Sequence, residues 1–160
     1  MNNYNINSLN DYRALAEFRY QIRRFLRFSE QIARRAGIEP QQQQLLLAIK
    51  GLPEGRKATI SELAERLQVQ HHSTVELVDR LADRGVVERQ RDEVDQRRVI
   101  VSLTAEGEEV LSQLANLTFI ELRTTGPVLV QALSSLLTEK VDGYNPVHPM
   151  NMQMNDSNSL

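Results

Sequence analysis

Two adjacent histidines, His71 and His72, stand at the start of a stretch predicted to be helical. Histidine is a common metal ligand and a common acid–base catalyst. Two histidines on one helix share a metal ion when they are four residues apart, whereas adjacent ones point about 100° away from each other. The third histidine, His148, is far along the chain, and no nucleophile or pair of carboxylates stands at a catalytic spacing from the first two. The sequence therefore predicts no metal site, no cofactor and no enzyme.

The composition limits the classes of protein to consider. The 160 residues, of which 41% are apolar and 25% charged, are typical of one globular domain. Cysteine is absent, which excludes disulfides, thiolate zinc sites and thiol redox sensing. No apolar run approaches the roughly 18 residues of a membrane span, and the first residues lack the layout of a signal peptide. We therefore expect a cytoplasmic protein without a membrane partner. The net charge of −2 creates no overall positive field for nucleic acid.

A long first helix is predicted from about Leu9 to Ala36, because apolar residues recur there at three- and four-residue steps. This stripe consists of Leu15, Phe18, Ile22, Phe25, Ile32 and Ala36. Residues 19–35 also hold six arginines against one acid, Glu30, mostly on the other side of the helix. Either these arginines form a solvated face, or one or two of them turn toward a pocket and bind an anion. Phe18, Phe25 and Phe28 are interpreted as core.

Two short helices joined by a tight turn are predicted in the middle of the chain. A buried helix from Pro40 to about Gly51 and a loop at 53–57 precede them. Thr59 and Glu62 have capping-box spacing at the start of SELAERL (61–67). After a break at 69–70, a second helix runs from Gln70 to Arg84. Its predicted inner face is Thr74, Leu77, Val78 and Leu81. This order is the helix-turn-helix arrangement.

A β-hairpin and further helices complete the prediction. The β-branched stretches at 86–91 and 98–103 bracket a polar tip, as in an antiparallel hairpin. Thr104 is placed to cap a long helix that starts at Ala105. Gly126 and Pro127 are predicted to break it, with another helix from Val128 to about Val141. Residues 142–160 lack periodicity and are predicted to be disordered.

The middle of the chain resembles the multiple-antibiotic-resistance regulator (MarR) family of winged-helix transcriptional regulators. The matching residues are SELAERL (61–67), LVDRLADRGVVER (77–89) and the pattern D-x-R, five residues, L-T-x-x-G. That pattern is met at Asp95, Arg97, Leu103, Thr104 and Gly107. With flanking helices of matching length, the resemblance covers about residues 9–141 and implies a fold that is mainly α with a small β-wing.

The resemblance implies how the chain is organised. It implies dimerisation helices at 1–57 and 105–141 around a winged helix-turn-helix lobe at 58–104, with residues 142–160 as a tail. It further implies a homodimer that binds an inverted repeat in double-stranded DNA, and a small ligand bound between the dimer base and the DNA-binding lobe.

Candidate DNA-binding residues follow from the helix and the wing. His71 and His72 either contact the major groove or are simply exposed polar residues. Gln70 and Ser73 share this region, while Glu76 either contacts DNA or pairs with Arg80. Arg80 and Arg84 either neutralise phosphates or are solvated. In the wing, the resemblance assigns Arg97 to a minor groove, and narrow minor grooves attract arginine. Asp95 is expected to hold the wing in shape. Arg91 and Arg98 are secondary phosphate candidates.

The sequence thus predicts a DNA-binding transcriptional regulator, a repressor that a small ligand releases. We expect a small aromatic anion such as a phenolic carboxylate, because the first helix is rich in arginine and aromatic residues and the family senses such compounds. The alternative is a winged-helix interaction module that binds protein or RNA without operator recognition.

Overall fold

Seven elements follow one another in the computed structural model, which describes residues 8–138. They are α1 (Leu9–Arg35), α2 (Pro40–Lys50), α3 (Ile60–Leu67), α4 (His71–Asp83), β1 (Val87–Arg91), β2 (Val99–Leu103) and α5 (Ala105–Thr138). The two strands pair antiparallel, with Val87 opposite Leu103 and Arg91 opposite Val99. The predicted fold, mainly α with a small β-wing, is confirmed.

The first helix begins at a reciprocal cap. The Asp11 backbone N–H donates to Ser8 Oγ at 3.2 Å, and the Ser8 N–H donates to the Asp11 carboxylate at 3.3 Å. The predicted apolar stripe of α1 is only partly covered within one chain. Ile32 is buried, whereas Leu15 remains 43% exposed and Ala36 is also exposed. The inner side of α1 packs along α5, so the two long helices form one layer of the molecule.

The core of the winged lobe lies where α2, α3, α4, the two strands and the start of α5 meet. The four residues predicted to form the inner face of α4 are all buried, which confirms the phase of that helix: Thr74, Leu77, Val78 and Leu81. They pack in the cluster that holds Leu45 and Leu46 of α2 and Leu63 of α3. Packing against α2, α3 and β1 buries this one face of α4 and leaves the opposite face open.

The turn between α3 and α4 is made by a left-handed residue. Gln68 has φ 54° and caps α3, and its side-chain amide nitrogen, Nε2, donates to the Glu65 carbonyl at 2.7 Å. At the start of α3, Thr59 Oγ1 accepts from the Glu62 N–H at 3.2 Å, as predicted. The carboxylate of Glu62 does not reach back to complete the capping box, because Arg56 and Arg66 bind it at 2.8 and 3.1 Å.

The predicted break at Gly126 and Pro127 is wrong. Helix α5 continues through Pro127 to Thr138 as a single element. Proline removes one hydrogen bond of the helical ladder and costs about 3 kcal/mol in a helix interior. Apolar residues that pack before and after the proline offset this cost, among them Leu114 and Ala132, which are buried.

Some predicted segments lie outside the described residues. The proposed tail at 142–160 and the last residues of the predicted final helix are among them. The division into dimerisation and DNA-binding segments stays a proposal. Within residues 8–138, no helix has the length and apolar character needed to cross a membrane.

Candidate nucleic-acid interface

The open side of α4 presents the first group of candidate residues. His71 and His72 are exposed in its first turn, next to Gln70 at the N-cap. At 100° per residue, His72 points almost opposite the buried face, whereas His71 points sideways. His71 lines a cleft against α3 with Ser61, Glu65 and Gln68. His71 and His72 therefore differ in their surroundings, although the sequence alone gave no reason to distinguish them.

Further along α4, a carboxylate and an arginine interact. An Arg80 guanidinium nitrogen lies 3.6 Å from Glu76 Oε2, and its Nε donates to the Glu76 carbonyl at 3.3 Å. Both side chains are exposed, and Ser73 beside them is half-buried. Of the alternatives considered for Glu76, pairing with Arg80 is the one found in the described chain.

The wing is held in shape by Asp95. Its Oδ1 accepts from the Arg97 backbone N–H at 3.1 Å, and its carbonyl accepts from the Arg98 N–H at 2.9 Å. The carboxylate also lies 3.7 Å from Arg98 Nε. Across the hairpin, Arg91 donates to the Gln96 carbonyl at 2.8 Å. The guanidinium of Arg97 is exposed and has no partner within residues 8–138, so it is available to an anion.

A second clamp on the wing was missed by sequence reasoning. Lys57 Nζ binds both carboxylate oxygens of Asp92, at 2.7 and 2.9 Å, and Asp92 is only 4% exposed. The lysine hydrogen bonds, assisted by the Val94 N–H, hold the pKa of the Asp92 carboxyl below its usual value. The Ala58 carbonyl accepts from the Val101 N–H at 2.9 Å. The segment before α3 is thus joined to the wing by an ion pair and by backbone pairing.

Two further arginines, Arg89 and Arg84, bind groups within the chain, and no sequence pattern indicated either partner. Arg89 of β1 forms an ion pair with Asp79 of α4 and links the wing to the helix. Arg84, considered for phosphate binding or solvation, instead donates to the Gly37 carbonyl at 2.7 Å. Its guanidinium ties the end of α4 to the turn between α1 and α2. Neither pairing has a signature in local periodicity, since the partners are 10 and 47 residues apart.

One cavity lies between α1, α2 and α4. It has a volume of 410 Å³, and Arg34 of α1 and Arg80 of α4 both line it. Arg34 is the only α1 arginine at this cavity, and the three phenylalanines of α1 are half-buried elsewhere along the helix. Across the described part of the chain, no cluster of three potential metal-ligating side chains occurs.

Comparisons with known proteins agree with this geometry. A sequence profile of the MarR family matches residues 36–98. No curated protein sequence matches the chain significantly. Among solved structures, a MarR variant from E. coli is 25% identical with a TM-score of 0.60, and the match covers 76% of this chain and 90% of that one.

Two other similar solved structures are of proteins that bind DNA. A MepR variant from S. aureus bound to an oligodeoxyribonucleotide is 20% identical, with a TM-score of 0.57 and coverage of 76% and 94%. The BpsR protein of Bordetella bronchiseptica, whose DNA binding is regulated by 6-hydroxynicotinic acid, is 18% identical, with a TM-score of 0.57 and coverage of 76% and 92%. Residues 36–98, which include the helix-turn-helix and most of the wing, thus match the MarR family of winged-helix transcriptional regulators, and the fold of residues 8–138 is similar to that of solved MarR-family structures.

Proposed function

We propose that this regulator is a homodimeric repressor that binds an inverted repeat in double-stranded DNA and is released by a small anionic ligand. The observation that carries the DNA-binding part is the wing tip. Arg97 is exposed and unpartnered among residues 8–138, while Asp95 and the Lys57–Asp92 pair fix the backbone around it. A rigid support that presents a free guanidinium suits a narrow minor groove.

In this proposal, α4 reads the major groove. Its exposed first turn presents Gln70, His71, His72 and Ser73, and helix-turn-helix proteins contact base edges with this part of the recognition helix. The oligodeoxyribonucleotide complex of the S. aureus relative supports DNA as the partner. Arg91 and Arg98 of the wing are proposed to contact phosphates.

The experiment is selection of fragments from random double-stranded DNA by the full chain, followed by titration of variants on the selected fragment. Arg97→Ala is expected to weaken binding by about 1–3 kcal/mol at all sites while thermal stability is unchanged. His72→Ala is expected to alter the selected sequence more than His71→Ala, because His72 points away from the lobe. Recovery of no common sequence would refute operator recognition.

A second function has one observation in its favour. Helix α4 carries three acids, Glu76, Asp79 and Asp83, against one arginine, Arg80, which is an unusual balance for a surface facing phosphates. A winged-helix module that binds a basic protein surface would use such a face. The same selection separates the two functions, since a protein-binding module would enrich no DNA sequence.

A further inference from the structure

We propose that Arg84 is a positioning residue for DNA recognition. By holding the turn between α1 and α2, it fixes the orientation of α4 relative to the two long helices. That orientation sets the spacing between the two half-sites of an inverted repeat that the dimer accepts. This inference rests on the proposed function and names the residue that determines one part of its specificity.

The chain passes between the layer formed by α1 and α5 and the winged lobe at two points. The first is the turn at residues 36–39, between α1 and α2, and the second is Thr104, between β2 and α5. At the first point, the Arg84 guanidinium donates to the Gly37 carbonyl. At the second, Thr104 Oγ1 donates to the Gly85 carbonyl. The segment directly after α4 is therefore bonded to both crossing points.

The first crossing depends on a single side chain of this segment. Gly37 has φ 70°, a left-handed conformation that glycine adopts without strain. Two other polar links between the long helices and the lobe, Ser29–Gln43 and Lys50–Glu108, end on α2 and not on α4. Within residues 8–138, the Arg84 side chain is thus the hydrogen-bonded link between the end of α4 and this turn.

The Arg84 bond is short and is supported by charge. Arg84 Nη1 lies 2.7 Å from the Gly37 oxygen, a distance typical of charge-assisted hydrogen bonds. The same nitrogen lies 3.5 Å from Oε1 of the buried Gln42, which also accepts from the Glu39 N–H at 3.0 Å. The Gly37 carbonyl follows the C-terminal end of α1, where the helix dipole favours a cation. Arg84 is therefore bound by the protein itself at a place that suits its charge.

The length of α4 converts a small rotation of the lobe into a change of register on DNA. The helix has 13 residues and is therefore about 20 Å long. If the lobe rotates by about 10° about the end of α4 at Arg84, the first turn at His72 moves by about 3 Å. Successive base pairs are about 3.4 Å apart, because 10–10.5 of them span roughly 34–36 Å. A loss of restraint at Arg84 can therefore shift a half-site by about one base pair.

In the proposed dimer, this rotation acts in both subunits. The exposed apolar residues lie mainly on α1 and α5, so these helices are the surface through which two copies are expected to pack. The distance between the two first turns of α4 then depends on how each lobe is oriented on its own long helices. A held lobe favours one half-site spacing, whereas a loosened lobe accepts several. Base contacts within each half-site are unaffected.

The distance between the two lobes is measured first without DNA. The chain has no cysteine, so His72→Cys labelled with a nitroxide gives one inter-subunit distance by pulsed electron paramagnetic resonance. We expect a narrow distribution in this background. Adding Arg84→Ala should broaden it or shift it by about 3 Å or more. Arg84→Lys keeps a donor for the Gly37 carbonyl and should restore the narrow distribution.

Arg35→Ala is the matched control. Arg35 is an exposed arginine in the last turn of α1, and its side chain has no hydrogen bond or ion pair within residues 8–138. Its removal should leave the distance distribution unchanged. Because Arg84 is also exposed, the melting temperature of Arg84→Ala should stay close to that of the wild type.

DNA binding is then measured on inverted repeats of the selected half-site, with spacings that differ by one base pair, and on a single half-site. Wild type should prefer one spacing over its neighbours by about tenfold, since a wrong spacing must be met by deforming the DNA. Arg84→Ala should reduce this preference to about threefold or less, and Arg84→Lys should restore it. Affinity for the single half-site should be the same in wild type, Arg84→Ala and Arg35→Ala.

Equal weakening of Arg84→Ala on every spacing and on the single half-site would mean that Arg84 binds phosphate, and would overturn its positioning role. An unchanged distance distribution in Arg84→Ala, or a spacing preference that this variant retains, would overturn the inference alone. So would a wild type that binds all spacings equally. A wild type that binds no DNA, or that is monomeric, would overturn the proposed function and this inference with it.

Discussion

At the scale of single residues, the L-T-x-x-G motif explains how the wing is joined to α5. Thr104 Oγ1 donates to the Gly85 carbonyl at 2.6 Å and accepts from the Gly107 N–H at 3.1 Å. The Thr104 N–H also donates to the Val86 carbonyl at 3.2 Å. Gly107 is buried, and a Cβ on it would overlap the Val86 carbonyl oxygen. Thr104 therefore caps α5 and binds Gly85, which follows the C-cap of α4. Gly107 allows the first turn of α5 to pack closely against the Val86 backbone.

Gly107→Ala should lower the free energy of unfolding by about 1–3 kcal/mol, because the backbone must shift to admit the methyl group. This exceeds the gain of up to about 1 kcal/mol that alanine has over glycine in a helix. Urea denaturation measures the change. Ser112→Ala, at an exposed position of the same helix, should stay within about 0.5 kcal/mol. A Gly107→Ala variant as stable as wild type would show that the contact with Val86 is not tight.

The Lys57–Asp92 pair predicts a pH dependence. Lys57 lowers the pKa of Asp92 in the folded chain below the unfolded value of about 3.9. The carboxylate therefore contributes stability above about pH 4, and this contribution disappears as the pH falls through the folded pKa. The stability difference between wild type and Asp92→Asn should accordingly be largest near neutral pH and shrink on acidification from about pH 5 to pH 3.

Urea denaturation across that pH range measures the difference. Lys57→Gln removes the cause of the lowered pKa and should show the same shrinking difference, while the double variant should add little to either single one. A difference that stays constant with pH would mean that the Asp92 carboxylate is not linked to folding through Lys57.

At the scale of elements, Pro127 interrupts the hydrogen-bond ladder of a helix that continues past it. The proline nitrogen carries no N–H, so the carbonyl of Arg123 has no helical donor four residues on. Pro127→Ala should therefore raise the free energy of unfolding, by up to about 3 kcal/mol. Pro53→Ala, in the loop between α2 and α3, serves as control and should instead lower it slightly, by up to about 1 kcal/mol. Lower stability of the Pro127→Ala variant would show that the packing of α5 depends on the proline.

The elements also differ in how well the sequence alone predicted them. The bounds of α3, α4 and the hairpin were predictable because caps, glycines and apolar periodicity are local signals. Pro127 was misjudged because the cost of a helix-interior proline is a local signal, whereas the packing of α5 against the rest of the fold is not. Asp95 was correctly expected to hold the wing because its partners are two and three residues away. The Lys57–Asp92 and Arg89–Asp79 pairs join segments that only the fold brings together, so no sequence pattern indicated them.

At the scale of the whole molecule, the exposed apolar surface is unevenly distributed. Among residues 8–138, twelve of the fourteen exposed large hydrophobic residues lie on α1 and α5, and the other two are Leu47 of α2 and Val94 of the wing. Large apolar patches of this kind mark surfaces that a partner covers. The two long helices are thus the surface on which a second copy of the chain is expected to pack.

A dimer through α1 and α5 would place two copies of α4 about 10–10.5 base pairs apart on an inverted repeat. Ile120→Glu puts a charge on a residue that is 64% exposed in the single chain. If a partner covers it, the buried charge should shift the dimer toward monomer, and DNA affinity should fall because one winged helix then binds alone. Val94→Glu changes a residue that is 89% exposed and lies on the wing, so the dimer should persist. Sedimentation velocity at micromolar concentration distinguishes these outcomes. A monomeric wild type, or an Ile120→Glu chain that is as dimeric as Val94→Glu, would refute packing through this face of α5.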